Sequence, residues 1–112
     1  MEITPTEIQN IRFLKVSGRI DSSNAPDAEE KLRGYAEGGD GPVIIDGSEL
    51  TYISSGGLRV LLTIEKGLAK EDRHIILCSL RPDVEKIFRL TGFSSIFSIH
   101  PSIDAAMAYL QG

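Results

Sequence analysis

The sequence predicts one α/β domain in which helices pack on a mixed, mostly parallel sheet. Short apolar runs alternate with amphipathic stretches, and glycine, proline or cap-forming residues separate them. The resulting order is β-β-α-β-α-β-α-β-α. Strands that alternate with single helices require crossover connections, which make the later strands parallel. The length of 112 residues and the lack of a linker-like segment favour a single domain over residues 1–112.

The first elements are a hairpin and a helix. Bulky β-favouring side chains on both sides of Gln9-Asn10 predict a hairpin over residues 2–17. The cap-forming residues 21–24 and Pro26 then open a helix, which ends near Gly38. Its apolar stripe consists of Ala28, Leu32, Tyr35 and Ala36.

A buried strand and a second helix occupy the middle of the chain. Residues 43–45 are continuously apolar, as in a strand buried on both faces, and Asp46-Gly47-Ser48 is expected to end it. A second helix follows residues 51–57, with Gly67 as a weak point inside it. The residues that recur at helical spacing are Leu58, Leu61, Leu62, Glu65 and Leu68.

Two further pairs of strand and helix complete the domain. Residues 74–79 predict a buried strand, and Arg81-Pro82 begins a helix that ends at Thr91-Gly92. Residues 96–99 predict a short final strand. Pro101-Ser102 opens the last helix, whose apolar face is formed by Ile103, Ala106, Met107 and Leu110.

Composition argues against several classes of function. The formal net charge is −4, so we expect no binding of nucleic acid. The longest apolar run is far shorter than the roughly 20 residues of a membrane helix, so we expect no membrane insertion. Cys78 is the single cysteine and lies in an apolar run, which predicts a buried thiol in a reduced, cytoplasmic protein. No metal-ligand spacing or nucleotide-binding loop is present, so no metal or cofactor is expected.

The loop over residues 46–59 carries the most information about function. It leaves the carboxyl end of a predicted parallel strand, where the binding sites of α/β sheets gather, and leads into a helix. Ser54 and Ser55 fall at the start of that helix, where free backbone N–H groups favour anions. Gly56 and Gly57 leave both hydroxyls unshielded. Two interpretations follow: one serine only caps the helix, or one serine is exposed and suited to carrying a phosphate.

Four landmarks, in this order along the chain, resemble the STAS family, specifically the bacterial anti-sigma factor antagonists. The most specific is Tyr-Ile-Ser-Ser-Gly-Gly-Leu-Arg-Val-Leu-Leu over residues 52–62. The others are Gly18-Arg19-Ile20-Asp21, Val43-Ile44-Ile45-Asp46, and Leu90-Thr91-Gly92-Phe93 followed by Ile96-Phe97. The resemblance covers nearly the whole chain and implies a single STAS-like domain.

The resemblance implies a protein that is switched by phosphorylation and has no catalysis of its own. An unphosphorylated antagonist of this family binds an anti-sigma factor serine kinase, which then releases its sigma factor. Phosphorylation of one serine ends the binding, and a serine phosphatase restores it. Alignment on Gly57-Leu58 assigns this serine to Ser55, with Ser54 as the alternative. Many members have aspartate where Ser54 stands, and serine, threonine or alanine where Gly56 stands.

The same resemblance implies a docking surface for the kinase. We expect Asp21 to help present the serine, whereas Asp46 is expected to bind backbone amides of its own loop. Arg59 is expected to be solvated, or to contact a carboxylate of the partner or the phosphate. The predicted partner-binding residues are Asp21, Ser22, Ser54, Ser55, Gly56, Gly57 and Arg59.

Two other functions stay open at this point. One is a STAS subunit of a larger assembly, such as a lipid-transport ATPase complex or a stress-signalling particle, in which serine phosphorylation plays no part. The other is a small hydrolase that uses Ser55 together with His74 or His100. No Gly-x-Ser-x-Gly elbow surrounds any serine, so we expect no enzymatic activity.

Overall fold

A computed structural model describes all 112 residues as a five-stranded sheet with four α-helices. The strands lie in the order β1-β2-β3-β4-β5; β1 is antiparallel to β2, and the others run parallel. The predicted order and the mixed, mostly parallel sheet are confirmed. The elements are β1 (Glu2–Ile8), β2 (Ile11–Ile20), α1 (Ala25–Ala36), β3 (Val43–Ile53), α2 (Ser55–Ala69), β4 (Ile75–Cys78), α3 (Pro82–Leu90), a 3-10 turn (Phe93–Ser95), β5 (Ser98–His100) and α4 (Ile103–Gln111).

The sheet separates two apolar clusters of unequal size. Helices α1, α2 and α3 pack on one face, where the buried cluster has 20 residues. Helix α4 packs on the other face, where its Ala106 is one of only 4 buried residues that form the cluster. Alternation along each strand causes this division, because Ile44 points to one face and its neighbours Val43 and Ile45 to the other.

The turn of the first hairpin follows from its sequence. Gln9 and Asn10 have φ angles of 51° and 67°, the left-handed pair that a two-residue hairpin turn requires. Buried Cys78, at the end of β4, is also confirmed, and burial raises the pKa of its thiol.

Strand β3 is much longer than its sequence suggests. Asp46-Gly47-Ser48 does not end the strand; it is absorbed as an irregularity, since Lys15 pairs with Asp46 but Ser17 pairs with Glu49. The Asp46 carboxylate accepts a hydrogen bond from the N–H of Ser48 at 2.9 Å, as expected for a residue that binds its own loop. The strand then continues beside β2 to Ile53, because β2 itself runs for 10 residues. Beyond Asp46, β3 pairs with β2 alone.

The prediction of a final strand over residues 96–99 is wrong at its start. Gly92 adopts a φ of 81° after α3, and a 3-10 turn follows, so that β5 begins only at Ser98. Phe97 is buried and packs edge to face on Phe88, with ring centroids 6.1 Å apart. The apolar side chain of Phe97 therefore belongs to the cluster of 20 buried residues and not to a strand.

Candidate functional site

The candidate site lies where β2 and β3 end side by side. Ile20 and Ile53, the last residues of these strands, are register partners, so both leave the sheet at the same edge. The backbone N–H of Ser54 donates to the carbonyl oxygen of Ile20 at 2.9 Å. This bond holds the start of α2 against the turn that connects β2 to α1.

The two candidate serines have different environments. Ser54 is the N-cap of α2, and its hydroxyl oxygen accepts a hydrogen bond from the N–H of Gly57 at 3.2 Å. Ser55 is the first residue of the helix, its side chain is exposed, and its hydroxyl is bonded to no other residue. The first turn of α2 contains no acidic residue. Each interpretation of the loop therefore applies to one serine: Ser54 caps the helix, and Ser55 presents a free hydroxyl to solvent.

The two glycines of the loop also differ. A Cβ on Gly57 would lie 2.7 Å from Cγ1 of Ile53 and 2.8 Å from Cγ2 of Ile20, so this position has no room for a side chain. A Cβ on Gly56 would meet nothing closer than the Ser54 hydroxyl at 3.5 Å. Gly57 is therefore a packing requirement that brings α2 close to the strand ends, whereas Gly56 is part of the accessible surface.

Asp21 belongs to a compact turn beside the serines. The hydroxyl and the N–H of Ser23 donate to its Oδ1 at 2.5 Å and 3.0 Å, and these bonds hold the pKa of the Asp21 carboxyl below its usual value. Asn24 precedes α1, but its side chain does not cap the helix, contrary to what we expected of residues 21–24. Its amide instead accepts from the N–H of Asp21 at 2.9 Å and donates to the carbonyl of Arg19 at 2.8 Å.

Arg19 and Tyr52 form an exposed pair at the edge of this turn. The guanidinium carbon of Arg19 lies 4.5 Å from the centre of the Tyr52 ring, and its Nε lies 3.6 Å from Asp21. Tyr52 was absent from the predicted partner-binding residues. Strand alternation could not have identified it, because the sequence predicted that this strand ends at residues 46–48. In the structure the strand continues to Ile53, with Thr51 and Tyr52 both exposed and Ile53 buried.

Arg59 lies on the exposed side of α2, one helical turn after Ser55. It makes no ion pair within the protein, and the groove it lines also contains Glu29, whose carboxylate is bonded to Arg33 at 3.0 Å. The groove runs between α1 and α2 and is lined by Ser22, Ala25, Pro26, Glu29, Gly56, Arg59, Val60 and Thr63. The structure thus brings Ser22, Gly56 and Arg59 together on one open surface, next to Ser55.

The histidines take no part in this surface. His74 Nδ1 lies 2.7 Å from a carboxylate oxygen of Glu65, and His100 Nε2 lies 2.7 Å from the hydroxyl of Ser98. Neither histidine is bonded to Ser55, so the hydrolase interpretation lacks the base that would activate this hydroxyl. No three His, Cys, Asp or Glu residues are grouped as metal ligands, and none of the helices combines the length and apolar character of a membrane span.

Fold and site define a small α/β domain with an exposed serine at the edge of the sheet where β2 and β3 end. The STAS domain family model matches residues 2–106. BtrV of Bordetella bronchiseptica, a protein named as an anti-sigma factor antagonist, is 36% identical over 108 residues, which cover 96% of this chain and 93% of that protein. The anti-sigma-B factor antagonist of Listeria monocytogenes is 34% identical over 85 residues, 75% of this chain and 74% of that protein.

The same architecture occurs in a solved structure. The crystal structure of an anti-sigma factor antagonist from Mycobacterium paratuberculosis superimposes with a TM-score of 0.86 at 24% identity, covering 99% of this chain and 94% of that one. The chain belongs to the STAS domain family, as its four landmarks predicted.

Proposed function

We propose that this protein is an anti-sigma factor antagonist that binds an anti-sigma factor serine kinase and is released when Ser55 is phosphorylated. Membership of the STAS family and the names of the curated relatives support the antagonist role. One observation carries the choice of residue: the Ser55 hydroxyl is exposed and unbonded, while the neighbouring Ser54 hydroxyl is engaged as the helix cap. When the antagonist binds the kinase, the kinase releases its sigma factor, and this controls the transcription that depends on the sigma factor.

The proposed modification is a phosphoryl transfer from ATP. The Ser55 hydroxyl oxygen forms a bond to the γ-phosphorus, the bond from that phosphorus to the β,γ-bridging oxygen breaks, and ADP leaves. The hydroxyl proton passes to a base of the kinase, because no base of this chain is bonded to Ser55. A serine phosphatase reverses the modification by transferring the phosphoryl group to water.

The switch acts on the interface rather than on the fold. A phosphate adds about −1.5 to −2 charge near pH 7, and at a helix N-terminus this is stabilising by about 0.3–1 kcal/mol. The same charge covered by a partner that supplies no counter-ion of its own costs several kcal/mol, and every 1.4 kcal/mol is about tenfold in affinity. Phosphorylation can therefore lower the affinity for the kinase about a hundredfold or more while the domain stays folded.

The docking surface that we propose contains the predicted residues around the serine. Asp21, Ser22 and Arg59 lie on the exposed turn and helix face next to Ser55, and Tyr52 adds an aromatic side chain that is 37% exposed. Gly57 is buried, so it supports the surface without touching a partner.

Incubation with a purified anti-sigma factor serine kinase of the source organism, ATP and Mg²⁺ tests the proposal, with the phosphate located by mass spectrometry. We expect Ser55→Ala to abolish incorporation and to unfold at nearly the same temperature as the wild type. Ser54→Ala is the matched control: it should still accept phosphate, but lose about 1 kcal/mol of stability because the cap is removed.

Other outcomes would contradict the proposal in distinct ways. Phosphate on Ser54 would move the switch to the capping residue. Stable binding to the kinase with no phosphate on either serine would favour the alternative in which this domain is a subunit of a larger assembly.

A further inference from the structure

We propose that Arg59 is the counter-ion, within this same chain, of a phosphoryl group on Ser55. The inference rests on the phosphorylation proposed above and adds a residue that regulates the modified state. Three observations support it: the spacing of the two residues on α2, the lack of an ion pair for Arg59, and the lack of an exposed side chain at the three helix positions between them.

The spacing places the two side chains on one face of the helix. Residues four apart on an α-helix have Cβ atoms about 5–6 Å from each other, and side chains lean toward the N-terminus of their helix. The Arg59 side chain therefore leans toward Ser55, within the reach of a long guanidinium. An acidic group four residues before a basic one is also the more favourable order for such a pair.

The guanidinium of Arg59 has no competing partner in the protein. Glu29, the one acidic residue that lines the groove with it, is bonded to Arg33, and Asp27 on the same helix lies 3.2 Å from Lys31. Asp21, on the turn beside the serines, faces Arg19. These carboxylates all have basic partners, so a dianion on Ser55 would add an unpaired negative charge to this face of α2.

The helix carries no exposed side chain at the three positions between Ser55 and Arg59. Gly56 and Gly57 follow Ser55, and Leu58 is buried in the core beneath the helix. The guanidinium can fold over the start of the helix and donate two parallel N–H groups to phosphate oxygens, which is the geometry that arginine prefers. A partner that covers this groove would have to compete with the phosphate for Arg59.

The ionisation of the phosphate itself measures this contact. Phosphoserine is placed at position 55 of the full chain by genetic-code expansion, so no kinase is needed, and its second pKa is followed by ³¹P NMR at about 0.1 M salt. A counter-ion favours the dianion and lowers this pKa from its usual value of about 6. We expect Arg59→Gln to raise it by about 0.3 units, and Arg59→Lys to raise it less.

Lys66→Gln is the matched control. It removes the same formal charge from an exposed position of the same helix, but Lys66 lies 11 residues after Ser55, about 16 Å along the axis. This exceeds the Debye length of about 10 Å at 0.1 M salt, so the phosphate pKa should change by less than about 0.1 units. The amides at the start of α2 act equally in every variant.

The two proposals fail in different experiments. Equal phosphate pKa values in Arg59→Gln and Lys66→Gln would overturn the counter-ion, whatever the kinase does. A kinase that leaves Ser55 unmodified would overturn the proposed switch, whatever the titration shows.

Discussion

Replacing Gly57 by alanine should destabilise the whole domain, whereas the same change at Gly56 should not. The methyl group at position 57 would stand 2.7 Å from Ile53 and 2.8 Å from Ile20, and the Ile20 carbonyl oxygen lies only 3.2 Å away. Real Cβ atoms do not approach other carbon atoms so closely, so the start of α2 must move away from the two strand ends. Overpacking of this kind costs about 1–3 kcal/mol.

The matched variant isolates this steric term, because both substitutions replace glycine by alanine within one helical turn. Alanine at position 56 meets its nearest neighbour at 3.5 Å, and the better helix propensity should leave stability unchanged or raise it by up to about 1 kcal/mol. Urea unfolding followed by circular dichroism measures both free energies. The melting temperature of Gly57→Ala should fall by about 4–12 °C. Equal stability of the two variants would refute the close packing of α2 on the strand ends.

Three further outcomes test other parts of the structure. Ser55→Asp should weaken kinase binding more than about tenfold yet shift the melting temperature by only a few degrees, as seen by calorimetry and fluorescence anisotropy; a large loss of stability would contradict the exposure of this serine. Gly67→Ala should stabilise by up to about 1 kcal/mol in urea unfolding, because a Cβ there meets open space. Because folding lowers the pKa of Asp21, this carboxyl stabilises the folded state at pH values above its unfolded pKa of about 3.9. This stabilisation is lost as the pH falls through the folded pKa. Ser23→Ala should raise this pKa in an NMR titration, and an unchanged pKa would show that the hydroxyl is not its main cause.

Hydrophobic pattern predicted the elements well where it was unambiguous. Residues 43–45 and 75–78 are continuously apolar, and both form strands buried on two faces. The pattern failed where polar residues sit inside a strand. Asp46-Gly47-Ser48 has the composition of a turn, but the length of neighbouring β2 keeps the chain extended, which is a tertiary effect that local residues do not encode.

The site was predictable in its position but not in its internal division of roles. Two adjacent serines have the same propensity to cap a helix, so composition alone left Ser54 and Ser55 as alternatives. The contact of Gly57 with Ile20 and Ile53 sets where α2 begins, and this choice of start makes Ser54 the cap. The pair of Arg19 and Tyr52 depends on strand register, which joins residues 33 positions apart.

The two faces of the sheet have apolar clusters of unequal size, so the helices on them should unfold locally in a definite order. Helix α4 is held by a cluster of 4 buried residues, while α2 shares a cluster of 20 with α1 and α3. Local opening begins where the fewest apolar contacts must be broken, so amide protons of α4 should exchange with solvent sooner than those of α2. Under mild heat or denaturant, the face of the sheet that α4 covers would therefore open first. The opposite face, where α2 carries Ser55, would stay packed.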